Sequence, residues 1–491
     1  MVVELNSKSY SRANHCYGFL FAGGIFLTTT QRVSGKTYGG IFSVALLSFI
    51  GILTETATNV TYPELSRVFN ISLDTTQWIT AGYLLMVTII MGTTSFLLKR
   101  VPIKRLQFVA VAAFIIGDII CATSMNFPVL LFGRFIQAAA TGLSTPMMFQ
   151  LIFTQIPRHK LGSMTGVAAM IISFAPALGP TYGGIVATNM SWRMIFWLIL
   201  PLALISLLLG QWLITNIPLT ESKPFSTASF VLLALSMTVW IYSLSVIGKS
   251  GFGLRFWSCL IISLILFACF VKVNVSGTTE LVDLSIFHHL PVALNGWNYF
   301  NQQFVNIGIS LVIPVYAQYT LHASAFISGL ILLPGAICGA IISPFAGHLA
   351  DRYGFRFPVM LGNTLFVIGG LSFWVLQKHL TPWLMMVLFI ILRSGFNFAF
   401  SNTISNATVN VSAENAADVS SVFNMIQQFA GATGVVFLAS LMAIFQNHGT
   451  GSMATRTYAG GRLDFIMTVV LTIMTLVISM ANYHYQAKNK Q

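Results

Sequence analysis

Apolar stretches of about 18–25 residues recur between residues 38 and 486, separated by short polar breaks. At 1.5 Å of rise per residue, such a stretch crosses the roughly 30 Å hydrocarbon layer of a bilayer as an α-helix. The pattern predicts fourteen of them, over 38–62, 75–98, 105–125, 128–152, 161–187, 192–215, 226–247, 254–275, 291–319, 325–347, 357–377, 382–408, 416–445 and 464–486. Ten-residue segments of alternating polarity, the mark of a membrane barrel, are absent. A bilayer cannot satisfy free backbone N–H and C=O groups, so helices are the remaining solution. The expected fold class is an all-α polytopic membrane protein.

Composition agrees. Hydrophobic residues make up 56% of the chain and charged residues 8%, against roughly 45–50% and about 25% in soluble domains. The net charge of +13 does not imply nucleic acid, because the basic residues form no soluble patch. Most of them, including Lys99, Arg100, Lys104, Arg105, Arg158, Lys160, Arg352 and Arg356, fall on one side of the predicted spans. The positive-inside rule then places both termini in the cytoplasm, as an even span count requires. Residues 1–37 read as a cytoplasmic tail; the apolar run 16–30 behind Lys8 and Arg12 is followed by no small-residue cleavage site. Cys16, Cys121, Cys259, Cys269 and Cys338 show no metal or redox spacing, and no metal or cofactor is expected.

The chain also repeats itself. Span two leads into a basic loop at 99–105, and span ten leads into a second such loop at 347–356. Span four carries Arg134 in its first third and span twelve carries Arg393 in a similar place. Spans one to six thus recur as nine to fourteen, which leaves seven and eight as an inserted pair without buried charge. The expected organisation is a tail (1–37), a six-helix bundle (38–215), an inserted pair with a linker (216–290) and a second six-helix bundle (291–487). Two such halves with a ligand site between them are a common plan of secondary transporters.

Charges inside spans cost several kcal/mol, about 2.5 or more each, and need a reason. In span one, Ser48, Gly51, Glu55, Asn59 and Tyr62 recur at steps of three and four, one polar or small stripe on an apolar helix. A carboxyl group on such a stripe, taken out of water, is a candidate reversible proton site. Asp118 in span three is a second acid, either another proton site or a contact for a cationic substrate. Arg134 heads a stripe with Gln137, Thr141 and Thr145 in span four. Its guanidinium keeps its charge, so it must find a carboxylate, carbonyls or water. Arg393 heads a corresponding stripe with Asn397, Ser401 and Ser405. In span nine, Asn295, Asn298, Gln302 and Asn306 share a face. Amides both donate and accept, so they suit either a wet cavity or interhelical bonding. Cavity lining is the expectation for Asn59, Tyr62, Gln137, Thr141, Asn298, Gln302, Asn306, Arg393 and Asn397. Span five holds Gly166, Pro176, Gly179, Pro180, Gly183 and Gly184, a composition that bends a helix and admits a close neighbour.

At these residues the chain resembles the fourteen-span drug:proton antiporters of the major facilitator superfamily. Span five is similar to that family's antiporter motif, with Ala175 where a glycine is usual. Glu55-Thr56-Ala57-Thr58-Asn59-Val60-Thr61-Tyr62-Pro63 resembles its span-one signature, although many members carry the acid one residue earlier, at Thr54 here. Gln77-Trp78, Tyr83-Leu84-Leu85 and Leu131-x-x-Arg134-x-x-Gln137 fit as well, with Ala138 in place of a glycine. The superfamily's cytoplasmic gating loop is intact in the second half, with Gly347, Asp351, Arg352 and Gly354; in the first half Lys99 and Pro102 replace its Asp and Gly.

The resemblance implies a major facilitator fold and a proton-coupled exporter of small amphipathic compounds in a bacterial cell membrane, acting as a monomer. Its partners would be protons, the small-molecule substrate and the bilayer. A same-fold transporter of one metabolite, lipid or signalling nucleotide is the alternative, and a transport-inactive sensor or scaffold is a further one. No nucleophile–base group, phosphate loop or metal cluster supports an enzyme, and no Walker-type loop supports ATP coupling.

Overall fold

The computed structural model describes residues 34–216, 225–277, 281–411 and 416–488, with the side chains at 74 and 95 and some of those at 158–173 and 416–418 left outside that description. Most of the expected tail lies outside the described residues. Fourteen long helices follow one another: α1 (Gly35–Ala57), α2 (Trp78–Arg100), α3 (Ile103–Thr123), α4 (Phe127–Gln155), α5 (Arg158–Asn189), α6 (Leu200–Leu213), α7 (Thr227–Ser250), α8 (Leu254–Ser276), α9 (Leu290–Thr320), α10 (Ala325–Tyr353), α11 (Arg356–Val375), α12 (Pro382–Thr408), α13 (Ala416–His448) and α14 (Met453–Lys488). No strand occurs among the described residues.

Thirteen of these segments are long and apolar enough to cross a membrane. The other is α9, whose 31 residues are ample in length but carry Asn295, Asn298, Asn301, Gln302, Gln303 and Asn306. The protein is a multi-pass membrane protein.

Two elements depart from the predicted spans, for identifiable reasons. After Ala57 the α-helix tightens into a 3₁₀ turn (Thr58–Thr61) before a short helix resumes at Tyr62–Val68. Pro63 has no N–H to offer the carbonyl four residues back, so the α ladder cannot continue there. The hydroxyls of Thr58 and Thr61 instead donate to the carbonyls of Glu55 and Thr58, each at 2.8 Å. At the other end of the chain, α14 begins at Met453 rather than at 464. Arg456 donates from Nη1 to the Gln446 carbonyl, and Gln446 Nε2 donates to Thr457 Oγ1 at 2.9 Å. These bonds join the first turn of α14 to the last turns of α13 and use the polar groups that read as a loop.

The duplication is visible in the packing. In the first half α1 lies against α4, α5 and α6, α4 also lies against α2 and α3, and α3 reaches α6. The second half reproduces every one of these pairs: α9 with α12, α13 and α14, α12 with α10 and α11, and α11 with α14. The halves join through α5 against α10 and through its counterpart, α2 against α13. Of the inserted pair, α7 lies against α13, with Trp240 and Phe429 ring centroids 6.4 Å apart. α8 packs chiefly on α7 and turns Ile261, Ile262, Leu264, Ile265 and Phe267 outward. With alternating helix directions, α1 starts and α14 ends at one end of the bundle, the terminal end; α1 and α9 finish at the far end.

Candidate functional site

The charged residues of the first half converge inside it. Arg134 (α4) and Asp118 (α3) are both fully buried. Arg134 Nη1 donates to Gln137 Oε1 at 2.5 Å, and Gln137 Nε2 donates to Asp118 Oδ1 at 2.5 Å. The guanidinium also lies 4.2 Å from the centre of the Tyr83 ring and donates from Nε to the Ile79 carbonyl at 3.4 Å, so α2 covers it. The Tyr83 hydroxyl donates to the Gly51 carbonyl on α1 at 3.2 Å and shares a 2.5 Å bond with Thr141. Gln137 Nε2 reaches Thr54 Oγ1 on α1 at 3.5 Å. Four helices are thereby tied around one fixed cation, and among the described residues Arg134 Nη2 and Asp118 Oδ2 have no partners.

Glu55 is 5% exposed and makes no side-chain hydrogen bond among the described residues. Asn59 accepts from Thr80 Oγ1 at 2.8 Å, and Tyr62 is fully buried on the turn beyond. Gln137 and Thr141, expected to line a cavity, instead lie within the bundle and spend their polar atoms on Asp118, Arg134 and Tyr83.

The seam between the halves is built on α5. A Cβ placed on Gly179 would meet Thr56 Oγ1 and, at 2.9 Å, the Leu53 carbonyl; one on Gly183 would strike the Ala57 backbone. On the next face, a Cβ on Gly184 would come within 2.7 Å of the Ala325 carbonyl of α10, and one on Gly329 would strike the Pro180 carbonyl. The helix therefore presses backbone to backbone on α1 and α10 at once, within a turn of Glu55. Pro176 and Pro180, together with Thr56 and Asn59, face Ile307, Ser310, Phe389 and Arg393 across a void of about 20 Å³. Gly166 lies in the part of α5 whose side chains are outside the described residues.

Beyond this seam, at the far end, a cleft of about 860 Å³ opens between the halves, with Glu64, Arg67, Thr188, Tyr319 and Ser324 on its walls. Gln318 Nε2 donates to the Val60 carbonyl at 2.9 Å, and the Phe326 N–H donates to Thr188 Oγ1 at 3.2 Å, so two hydrogen bonds join the halves here.

Several expected cavity residues of the second half are engaged elsewhere. Asn298 donates to Ser479 at 2.7 Å, as does Asn363, and Gln302 donates to Asn363 at 3.0 Å. These bonds bind α9 to α11 and α14 inside the half, while Asn306 donates to Gln303 at 3.2 Å on its own helix. Asn397 donates to the Arg393 carbonyl and accepts from Ser343 of α10 at 3.0 Å. The amide stripe is interhelical bonding because its face turns toward helices of its own bundle.

Arg393 lies on the face of α12 that meets α10, where a Cβ on Gly339 would meet it and Asn397.

The gating-loop residues sit at the terminal end. Gly354 closes α10 at φ +76°, a conformation that suits glycine. Asp351 and Arg352 are exposed, Arg352 rests over Tyr353 at 5.3 Å, and a Cβ on Gly347 would meet nothing within 4 Å.

One buried acid escaped the sequence reading. Asp464 on α14 is 0% exposed, and among the described residues neither carboxylate oxygen has a hydrogen-bond partner. It was hidden because the polar residues before it placed it at a span edge. The signal was available: Asp464, Thr468, Thr472, Thr475, Ser479 and Asn482 form one stripe at helical spacing.

Comparison with known proteins gives the architecture its family. The model of the Major Facilitator Superfamily matches residues 44–435. The chain belongs to that superfamily. It is 30% identical over 449 residues to the lincomycin resistance protein LmrB of Listeria monocytogenes, covering 90% of this chain and 95% of that one. To LmrB of Bacillus subtilis it is 32% identical over 434 residues, 86% and 89% of the two chains. Among solved structures, a bacterial homologue of the human lysosomal transporter Spinster, inward-facing and unoccupied, superposes with a TM-score of 0.66 at 14% identity, over 91% of this chain and 97% of that one. This superfamily member is a membrane transporter of small molecules, not an enzyme, and it resembles the drug:proton antiporters within the family.

Proposed function

We propose that this transporter exports small amphipathic compounds in exchange for protons, by alternating access at the seam between its halves. The observation that carries the reading is Glu55: a buried residue whose carboxyl has no hydrogen-bond partner among the described residues, on the helix that α5 clamps and next to Thr54, which Gln137 ties to Arg134. A group in that position can take a proton when the seam faces one side and give it up on the other. The Arg134–Gln137–Asp118 bridge holds a fixed positive charge beside it. The far end is read as extracellular and both termini as cytoplasmic, in the cell membrane of a bacterium, with the single chain as the working unit. In this reading the 860 Å³ cleft is the outer mouth, closed below by Gln318 and Thr188.

The test is the purified protein in liposomes with a pH-sensitive dye inside and an imposed pH gradient. Lincomycin, which two relatives are named for resisting, is the first compound to add. Compound-evoked proton flux, together with compound uptake driven by the gradient, is the expected result. Compound movement indifferent to the gradient would remove the proton from the mechanism.

A further inference from the structure

We propose that Arg393 is the anchor for an anionic group on the transported molecule, which makes amphipathic anions the preferred substrate class. The inference rests on reading the seam as the transport path and adds the chemistry of what travels along it.

Arg393 borders the void between the halves and is partly exposed. Arg134 shows what a buried arginine needs for support: an amide oxygen, a backbone carbonyl and an aromatic face. Arg393 has one of the three, the Phe396 ring at 5.0 Å. Its Nε is buried without a partner, and among the described residues its guanidinium makes no hydrogen bond or ion pair. A guanidinium cannot shed its charge. A partly buried cation whose Nε has no partner among the described residues is unfavourable beside apolar walls, and a carboxylate, sulfonate or phosphate arriving with the substrate relieves it through a planar two-bond fork.

The walls supply the rest of the specification. Pro176, Pro180, Ile307 and Phe389 are apolar, while Thr56, Asn59 and Ser310 offer scattered hydrogen bonds. At about 20 Å³ the void holds about one water in this conformation. When the halves rock apart, the same walls become the faces of a larger chamber. Such a chamber takes a molecule with an apolar body and one anionic end.

Two xanthene dyes of opposite charge provide the test: fluorescein, which carries a carboxylate, and rhodamine 6G, an esterified cation. Binding is followed by fluorescence anisotropy to the full-length protein in nanodiscs, without any gradient, so that failure of proton coupling leaves the result readable. Wild type is expected to bind fluorescein at least about tenfold more tightly than rhodamine 6G. Arg393→Gln should weaken fluorescein about ten- to a hundredfold and leave rhodamine 6G nearly unchanged. Arg393→Lys, which keeps the charge but not the fork, should fall between. Size-exclusion profiles confirm that each variant is folded. Preference for the cation, absence of fluorescein binding, or an unchanged dye ratio in a folded Arg393→Gln protein would each overturn the assignment.

Discussion

Arg134 and Asp118 sit on neighbouring helices and meet through a single side chain: Gln137 accepts from the guanidinium and donates to the carboxylate, 2.5 Å on each side. An amide between two charges keeps them apart yet fixes both. This arrangement differs from a direct ion pair, because neither charge can move without turning the amide.

The bridge predicts strong coupling. Gln137→Leu and Asp118→Leu should each cost about 1.5–3 kcal/mol, the worth of a hydrogen bond to a charged group. The double substitution should cost less than the sum by about 0.5–3 kcal/mol, since each change already breaks the other's contact. Unfolding of the three variants in detergent gives the cycle; strict additivity would mean that the bridge carries no energy.

Glu55→Gln separates binding from coupling. Glutamine keeps the volume and the hydrogen-bonding capacity but cannot titrate. Exchange of compound across liposomes without a gradient should persist, while gradient-driven uptake at pH 7 falls to background. Normal gradient-driven uptake would show that the proton is carried elsewhere.

Gly179 tests the clamp. A single added carbon there already meets Thr56 and the Leu53 carbonyl. Gly179→Leu overpacks a contact that must slide during the cycle, at about 1–3 kcal/mol. That shifts a two-state equilibrium about five- to 150-fold. The expected outcome is a protein that inserts and binds from one side but fails to alternate, or leaks protons. Labelling of cysteines placed on both faces of the seam, with proton flux in liposomes, reads this directly; wild-type behaviour in both would reduce α5 to ordinary packing.

Asp464 should tolerate the loss of its acid. Neither oxygen is hydrogen-bonded among the described residues, so Asp464→Asn, of equal volume, should change stability by less than about 1.5 kcal/mol. Asp464→Lys places an unpaired cation in the same dry position and should lower the yield of folded protein, at a cost of about 2.5 kcal/mol or more. Equal thermal stability of the two variants in detergent would mean that water reaches the site.

The sequence by itself determined the helices through their recurring apolar stretches and the duplication through its paired basic loops, because a bilayer leaves the backbone no other way to bond itself and makes each intramembrane charge conspicuous. Helical periodicity also placed Glu55 beside Asn59, and Arg134 beside Gln137, on single faces. What periodicity cannot say is which neighbour a face meets. Only the packed bundle decided that Gln137 and Thr141 close the first half from within, and that Asn298 and Gln302 bind α9 to α11 and α14. It alone decided that Arg393 borders the void between the halves. Those outcomes depend on the rotation and register of one helix against another. These are set by where glycines such as Gly117, Gly362 and Gly179 let two backbones touch, contacts between residues far apart in the chain that no local pattern records.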